Sequence, residues 1–238
     1  MEKRIWELDA LRGLGILGMI LSHLAYDLIV LYGVWCPKST ALFDFVQSWG
    51  GMLFLVLSGI CVTLGSRHIR RGLLVFLCGM AVSAATGLMY LMGLADESIL
   101  IYFGVLHCLG CCMLLWPVFR KYPAWLLLAL GVILAVLGLY LVRNVSVSFP
   151  WLIPLGIPSH SFTTSDYFPL LPNLGYFLAG AAIGKWVYRE KKSLLPKVNT
   201  QTPALHFLCF CGRHSLLIYL LHQPVLAGSI GLCLLLTR

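Results

Sequence analysis

The chain has 238 residues, 60% hydrophobic and only 11% charged, with seventeen Lys plus Arg against nine Asp plus Glu for a formal charge of +8. That composition excludes a water-soluble domain and predicts an all-α, polytopic membrane helix bundle forming a single domain over the whole chain. In such a protein the excess of basic residues reports orientation in the bilayer, and no nucleic-acid partner is expected.

The first predicted span covers about 5–31. Its opening, RIWELDALRGLGILGMILSHLAYD at residues 4–27, is too long and too charged for a signal peptide, lacks a small-x-small cleavage site, and is expected to be retained. Asp9, Arg12, His23 and Asp27 interrupt it. Each is costly in hydrocarbon unless it faces protein or water. At about 100° per residue the four fall on one narrow stripe, and Arg12 lies about 16 Å of rise from His23. The stripe reads as one wall of a site; the alternative is two structural pairs, Asp9 with Arg12 and His23 with Asp27 at i, i+4.

Tyr32, Gly33 and Pro37 mark a loop that holds Cys36 and Lys38. Span 2, about 44–65, has Asp44, Gln47 and Ser48 at its entrance, and its Gly50, Gly51, Ser58 and Gly59 suit close helix packing in lipid. The basic loop SRHIRR precedes span 3, about 72–93, which ends at an acidic turn with Asp96 and Glu97. Span 4, about 99–118, carries His107 in mid-membrane, a position more usual for a packed, hydrogen-bonded histidine than for a catalyst. Span 5, about 124–142, is purely apolar. Residues 143–170 hold several prolines and little helical periodicity, yet are rich in aromatic and aliphatic side chains; a packed lid or re-entrant segment is expected there. Span 6 covers about 171–188, a basic loop follows, and a short amphipathic stretch near 203–211 is expected at the membrane interface. Span 7, about 212–236, begins GRHSLLIYLLHQPV, in which Ser215, Tyr219 and His222 share one face as a second polar seam.

With the amino terminus inside, fourteen of the seventeen basic residues lie on the cytoplasmic side, and only Lys38, Arg143 and Arg238 lie outside. This asymmetry predicts about seven spans, a cytoplasmic amino terminus and a long external loop between spans 5 and 6. Most of the nine cysteines sit inside apolar runs as small buried hydrophobes. Cys108, Cys111 and Cys112 lack a second ligand pair at zinc spacing, so no metal is expected.

Three stretches carry a resemblance: ELDALRGLGILGMILSH at the start, SDYFPLLPNLG in the external loop and GRHSLLIYLLHQPV near the end. Together, and in that order over nearly the whole chain, they resemble the small bacterial members of the heparan-α-glucosaminide N-acetyltransferase catalytic-domain family. The opening L-D-x-x-R-G is also similar to the broader acyltransferase-3 family of O-acyltransferases, whose members usually have about ten spans. The resemblance implies an integral enzyme of the bacterial cytoplasmic membrane that takes acetyl-CoA from the cytoplasmic side and passes the acetyl group to an amino sugar or other glycan on the outer side. It also implies a homodimer, which exposed small-residue faces permit in contact with membrane lipid. Asp9, Arg12 and Gly13 match the family's first-span signature, and His222 matches the histidine of its last span. His23 stands where the animal enzyme has an asparagine, and that enzyme's loop histidine between spans 1 and 2 has no counterpart.

Taken with the seams, this suggests direct transfer in which His23, oriented by Asp27, deprotonates the acceptor amine while His222 hydrogen-bonds the thioester carbonyl. An acetyl-histidine is the two-step variant. Arg12, Arg70, Arg71, Arg213 and His214 are the expected contacts of acetyl-CoA, with orientation in the membrane as the alternative role of Arg70 and Arg71. Asp166, Tyr167 and His107 are the expected acceptor contacts, and capping of a turn before Pro169 is the alternative for Asp166. Asp9, Ser215 and Tyr219 complete the polar seams. The competing readings are a proton-coupled transporter that uses the His and Asp residues as a relay, against which the lack of a visible internal repeat counts, and a non-catalytic membrane subunit.

Overall fold

The computed structural model describes residues 5–28, 41–160 and 162–236, without the side chains of residues 41–48, 234 and 235. It is helical throughout, and the described residues contain isolated β-bridges but no strand. The helices are α1 (Trp6–Tyr26), α2 (Ala41–Leu64), α3 (His68–Leu91), α4 (Val105–Phe119), α5 (Ala124–Asn144), α6 (Leu170–Val187), α7 (Pro203–Arg213) and α8 (Ser215–Leu236), with 3-10 turns at Glu97–Ile99 and Pro150–Leu155. Among the described residues Trp6–Tyr26, His68–Leu91, Ala124–Asn144 and Ser215–Cys233 are long and apolar enough to cross a membrane, and Trp49–Leu64 and Val105–Phe119 are shorter apolar stretches. The expected count of seven spans and their orientation rest on the sequence. The loop expected to hold Cys36 and Lys38 lies outside the described residues.

The contacts divide the chain into two units, residues 1–54 with 192–238, and residues 55–191. In the first, α1 packs along α7 and, more sparingly, against α8. The α1–α7 approach is set by glycine: a Cβ on Gly13 would fall on the Leu208 carbonyl, and one on Gly212 on the Asp9 carbonyl. Only hydrogen fits at either position. The amphipathic stretch expected near 203–211 is therefore a helix packed against α1, with Phe207 and Phe210 exposed. The segment before α7 is tied down by Glu7, a buried carboxylate that accepts from Ser193 Oγ at 2.8 Å and from the Leu194 amide at 2.7 Å. Outward, α1 presents Leu11, Leu14 and Leu21, the apolar surface that lipid requires.

In the second unit α3 packs on α4 and α5 on α6. Gly59 of α2 meets the Phe177 carbonyl of α6, and Gly180 of α6 meets the Val56 carbonyl, a reciprocal pair that brings the two backbones together. Span 4, expected from about residue 99, starts as a helix only at Val105. The preceding backbone is drawn off by the long loop: Thr164 Oγ1 donates to the Leu100 carbonyl at 2.6 Å, Ser165 Oγ to Ile99 at 3.0 Å, and the Phe168 amide to Phe103 at 3.0 Å. Those carbonyls are thus committed outside the helix. The loop itself is packed in part: Ile153 is buried, Tyr167 Oη donates to the Ile153 carbonyl at 2.8 Å, and Phe162 stands edge-on to Tyr167 at 4.9 Å, while Phe149, Trp151 and Leu155 stay exposed.

Candidate active site

The polar seam of α1 is split between two neighbours. Its first half, Asp9 and Arg12, lies along α7, where the Arg12 guanidinium stands 4.0 Å from the Asp9 carboxylate. Both side chains stay partly accessible, so the pair is loose and the arginine keeps donors for another anion. The end of α7 adds Arg213, whose Nε donates to the Cys209 carbonyl at 3.1 Å, and His214, whose ring lies 4.4 Å from that of Phe210. Both are exposed, and Ser215 then opens α8.

The second half of the seam meets α8. The rings of His23 and His222 lie edge to face, with centroids 4.8 Å apart, and Tyr219 is 5.4 Å from His222. Each imidazole is held by a carbonyl of its own helix: Nδ1 of His23 is 2.9 Å from the Met19 oxygen, and Nδ1 of His222 is bonded to the Tyr219 oxygen. A carbonyl only accepts, so in the neutral ring Nδ1 carries the hydrogen and Nε2 presents its lone pair. For His222 that Nε2 is buried and has no hydrogen-bond partner. A buried basic nitrogen without a donor costs free energy in a folded protein, and catalytic bases are a recurring reason for tolerating it.

Asp27 is fully buried at the end of α1, and its carboxylate does not orient His23 as expected from their i, i+4 spacing. Both of its oxygens accept from Nε2 of Gln223, at 3.0 Å each. The Met19 carbonyl holds His23 instead. Gln223 joins this polar cluster, a residue that the sequence reasoning did not single out. The available signal was an amide next to His222 in an otherwise apolar run, LLHQPV, where a polar side chain needs a partner.

The remaining expected site residues belong to the second unit. His107 is buried and saturated: Nδ1 accepts from the Gly104 amide at 3.3 Å, Nε2 faces Ser83 Oγ at 3.5 Å, and the ring is stacked on Phe103 and edge-on to Phe76. It is the packed, hydrogen-bonded histidine that its position in span 4 suggested. Asp166 Oδ2 accepts from the Val105 amide at 3.0 Å and so places its negative charge at the start of α4, where the free amides of a helix welcome it. Tyr167 is engaged with Ile153, and burial pushes its phenol up to about 12. Arg70 and Arg71 lie exposed in the first turn of α3.

A family model described as the catalytic part of heparan-alpha-glucosaminide N-acetyltransferase matches residues 4–224, which include both polar seams and Gln223. No curated protein and no solved structure matches the chain.

Proposed function

The chain belongs to the heparan-alpha-glucosaminide N-acetyltransferase catalytic family, and from that premise we propose that it moves an acetyl group from acetyl-CoA to the amine of an amino-sugar or glycan acceptor, with His222 as the base. That the chain is a membrane acetyltransferase follows from the family and the apolar helices together. The choice of His222 as the base is supported chiefly by one observation, its buried and unpartnered Nε2 set against His23.

In this reading the role of base, first expected of His23, passes to His222. With Nδ1 committed to the Tyr219 carbonyl, His222 has no N–H to offer a thioester carbonyl, but it has a lone pair for a proton. Bound acetyl-CoA supplies an activated thioester carbonyl. Nε2 of His222 takes the proton that the amine sheds as the C–N bond forms, and returns it to the sulfur as the C–S bond breaks. His23 packs against the imidazole and holds its plane. Arg12, Arg213 and His214 fit the anionic end of the donor, since each keeps accessible donors near one end of the α1 seam. Arg70 and Arg71 are exposed cations of the same kind. Asp166, Tyr167 and His107 are already engaged in holding α4 and the long loop, so positioning is the role their surroundings favour. The enzyme resides in the bacterial cytoplasmic membrane with its amino terminus inside, the orientation favoured by the distribution of basic residues.

The test is transfer of labelled acetyl from acetyl-CoA to glucosamine by the purified protein in detergent, with product read by mass spectrometry because thiol reagents would titrate the nine cysteines. His222→Ala is expected to lose about 10²–10⁴-fold in turnover, the usual contribution of a positioned base. Turnover at the unsubstituted rate in folded His222→Ala would remove the assignment. Transport of the acceptor without acetylation would favour the relay reading.

A further inference from the structure

Gln223 is bound more tightly than an amide in an apolar helix needs to be. Its Nε2 donates to both oxygens of fully buried Asp27. Both carboxylate oxygens accept in these bonds, so this grip dictates which way round the amide sits: the NH2 faces Asp27 and Oε1 points away. That Oε1 is buried and has no hydrogen-bond partner, as is Nε2 of the adjacent His222. Both residues meet the end of α1, His222 at His23 and Gln223 at Asp27 one turn further on. Two neighbouring buried acceptors with no donor are an arrangement that a ligand bearing two hydrogens satisfies.

We infer that Gln223 is a specificity-determining residue of the acceptor site, held by Asp27 as a positioning residue, and that with His222 it selects acceptors presenting a primary amine over those presenting only hydroxyls. The inference rests on the acetyl-transfer reading above. A neutral primary amine has two N–H bonds and one lone pair. One N–H points to Nε2 of His222, which takes that proton as the C–N bond forms and passes it to the departing thiolate. The other points to Oε1 of Gln223 and stays on nitrogen in the amide product. With both hydrogens held, the lone pair is aimed at the carbonyl carbon. A hydroxyl has a single hydrogen, so one of the two buried acceptors remains unpaired, and sites built to hydrogen-bond a group discriminate strongly against analogues that lack it.

Asp27→Asn tests this with almost no change in volume. The introduced amide and that of Gln223 can pair reciprocally, with the new NH2 donating to Oε1, which withdraws that oxygen from the acceptor. The expected result is a fall of about tenfold in kcat/KM for glucosamine, the loss of roughly one hydrogen bond, with the KM for acetyl-CoA little changed. The preference for glucosamine over glucose, offered together and read by mass spectrometry, falls by the same factor. Gln223→Met, similar in length and without the amide, is the second variant and is expected to lower the preference likewise. An unchanged preference in whichever of these variants folds, judged by size exclusion, overturns the inference. Turnover that survives His222→Ala would instead overturn the acetyl-transfer reading beneath it, so the two failures are distinguishable.

Discussion

Gly212→Ala puts the α1–α7 contact to the test, because two opposing effects compete there and their magnitudes decide the sign. In an unobstructed helix the substitution favours folding by at most about 1 kcal/mol, through lower backbone entropy in the unfolded chain. At Gly212 the new methyl would lie on the Asp9 carbonyl, well inside van der Waals contact, and the obstacle is helix backbone that cannot rotate aside as a side chain could. Overpacking costs about 1–3 kcal/mol, and an overlap this deep with backbone belongs at the upper end, so about 2 kcal/mol of net loss remains after the helix gain is subtracted. For a chain of this length each kcal/mol moves the midpoint by about 2–4 °C, and a fall of about 4–8 °C is expected. The comparison is Gly87→Ala in α3, where an added Cβ meets nothing within 4 Å. Its midpoint should hold or rise. Thermal unfolding in detergent, followed by the fluorescence of the seven tryptophans, reads both variants. If Gly212→Ala were as stable as Gly87→Ala, the close approach of α7 to α1 would be wrong.

The other expectations concern single contacts. Asp166→Ala should cost about 0.5–2 kcal/mol by stripping the charge from the start of α4, whereas Asp166→Asn, which can still cap, should cost less; an unchanged glucosamine KM in the asparagine variant assigns the residue to the cap alone. Burial pushes the Tyr167 phenol up to about 12, above the value of about 10 in an unfolded chain. The folded state therefore holds its proton longer than the unfolded one, and the associated stability is fully present below about pH 10 and drains away as the pH climbs towards 12. Tyr167→Phe should accordingly flatten the alkaline fall of the melting midpoint, and an identical fall in both proteins would refute this. Arg12→Ala and Arg213→Ala should each raise the KM for acetyl-CoA about tenfold, with a smaller effect at high salt. A donor KM that is insensitive to both would exclude the proposed phosphate contacts.

The α1 seam was legible in the sequence because helical periodicity alone puts Asp9, Arg12, His23 and Asp27 on one stripe, and a stripe of ionisable residues in an apolar run must face protein or water. The packing of 143–170 was legible in part: Ile153 and Phe162 are packed, but Phe149, Trp151 and Leu155 of the same aromatic and aliphatic segment are exposed. What could not be read was pairing across helices. Asp27 is four residues from His23 and 196 from Gln223, and local spacing favours the nearer partner; yet the carboxylate is bonded to the distant amide. The start of α4 was misjudged for a related reason: residues 99–104 continue the apolar run, but the carbonyls of Ile99, Leu100 and Phe103 are claimed by Ser165, Thr164 and Phe168, contacts that no local pattern announces.

The roles of the two histidines turn on the same kind of nonlocal information. A sequence identifies an imidazole, but the chemistry depends on which nitrogen carries the hydrogen, and a neighbouring backbone carbonyl decides that. In His222 the Tyr219 carbonyl captures Nδ1, a purely local, one-turn contact within α8. This leaves Nε2 as an acceptor, and the surrounding helix contacts bury it against His23 without supplying a donor. Had the ring instead turned Nε2 to the carbonyl, Nδ1 would lie against its own helix backbone and reach no ligand. The free lone pair on Nε2 thus comes from one rotamer of one side chain, held by the Tyr219 carbonyl and packed against the ring of His23. On this account His23→Ala should lower turnover through misorientation of His222, while His23→Phe, which restores the packing surface without a titrating nitrogen, should recover much of it. A His23→Phe protein as inactive as His222→Ala would mean that His23 exchanges protons itself.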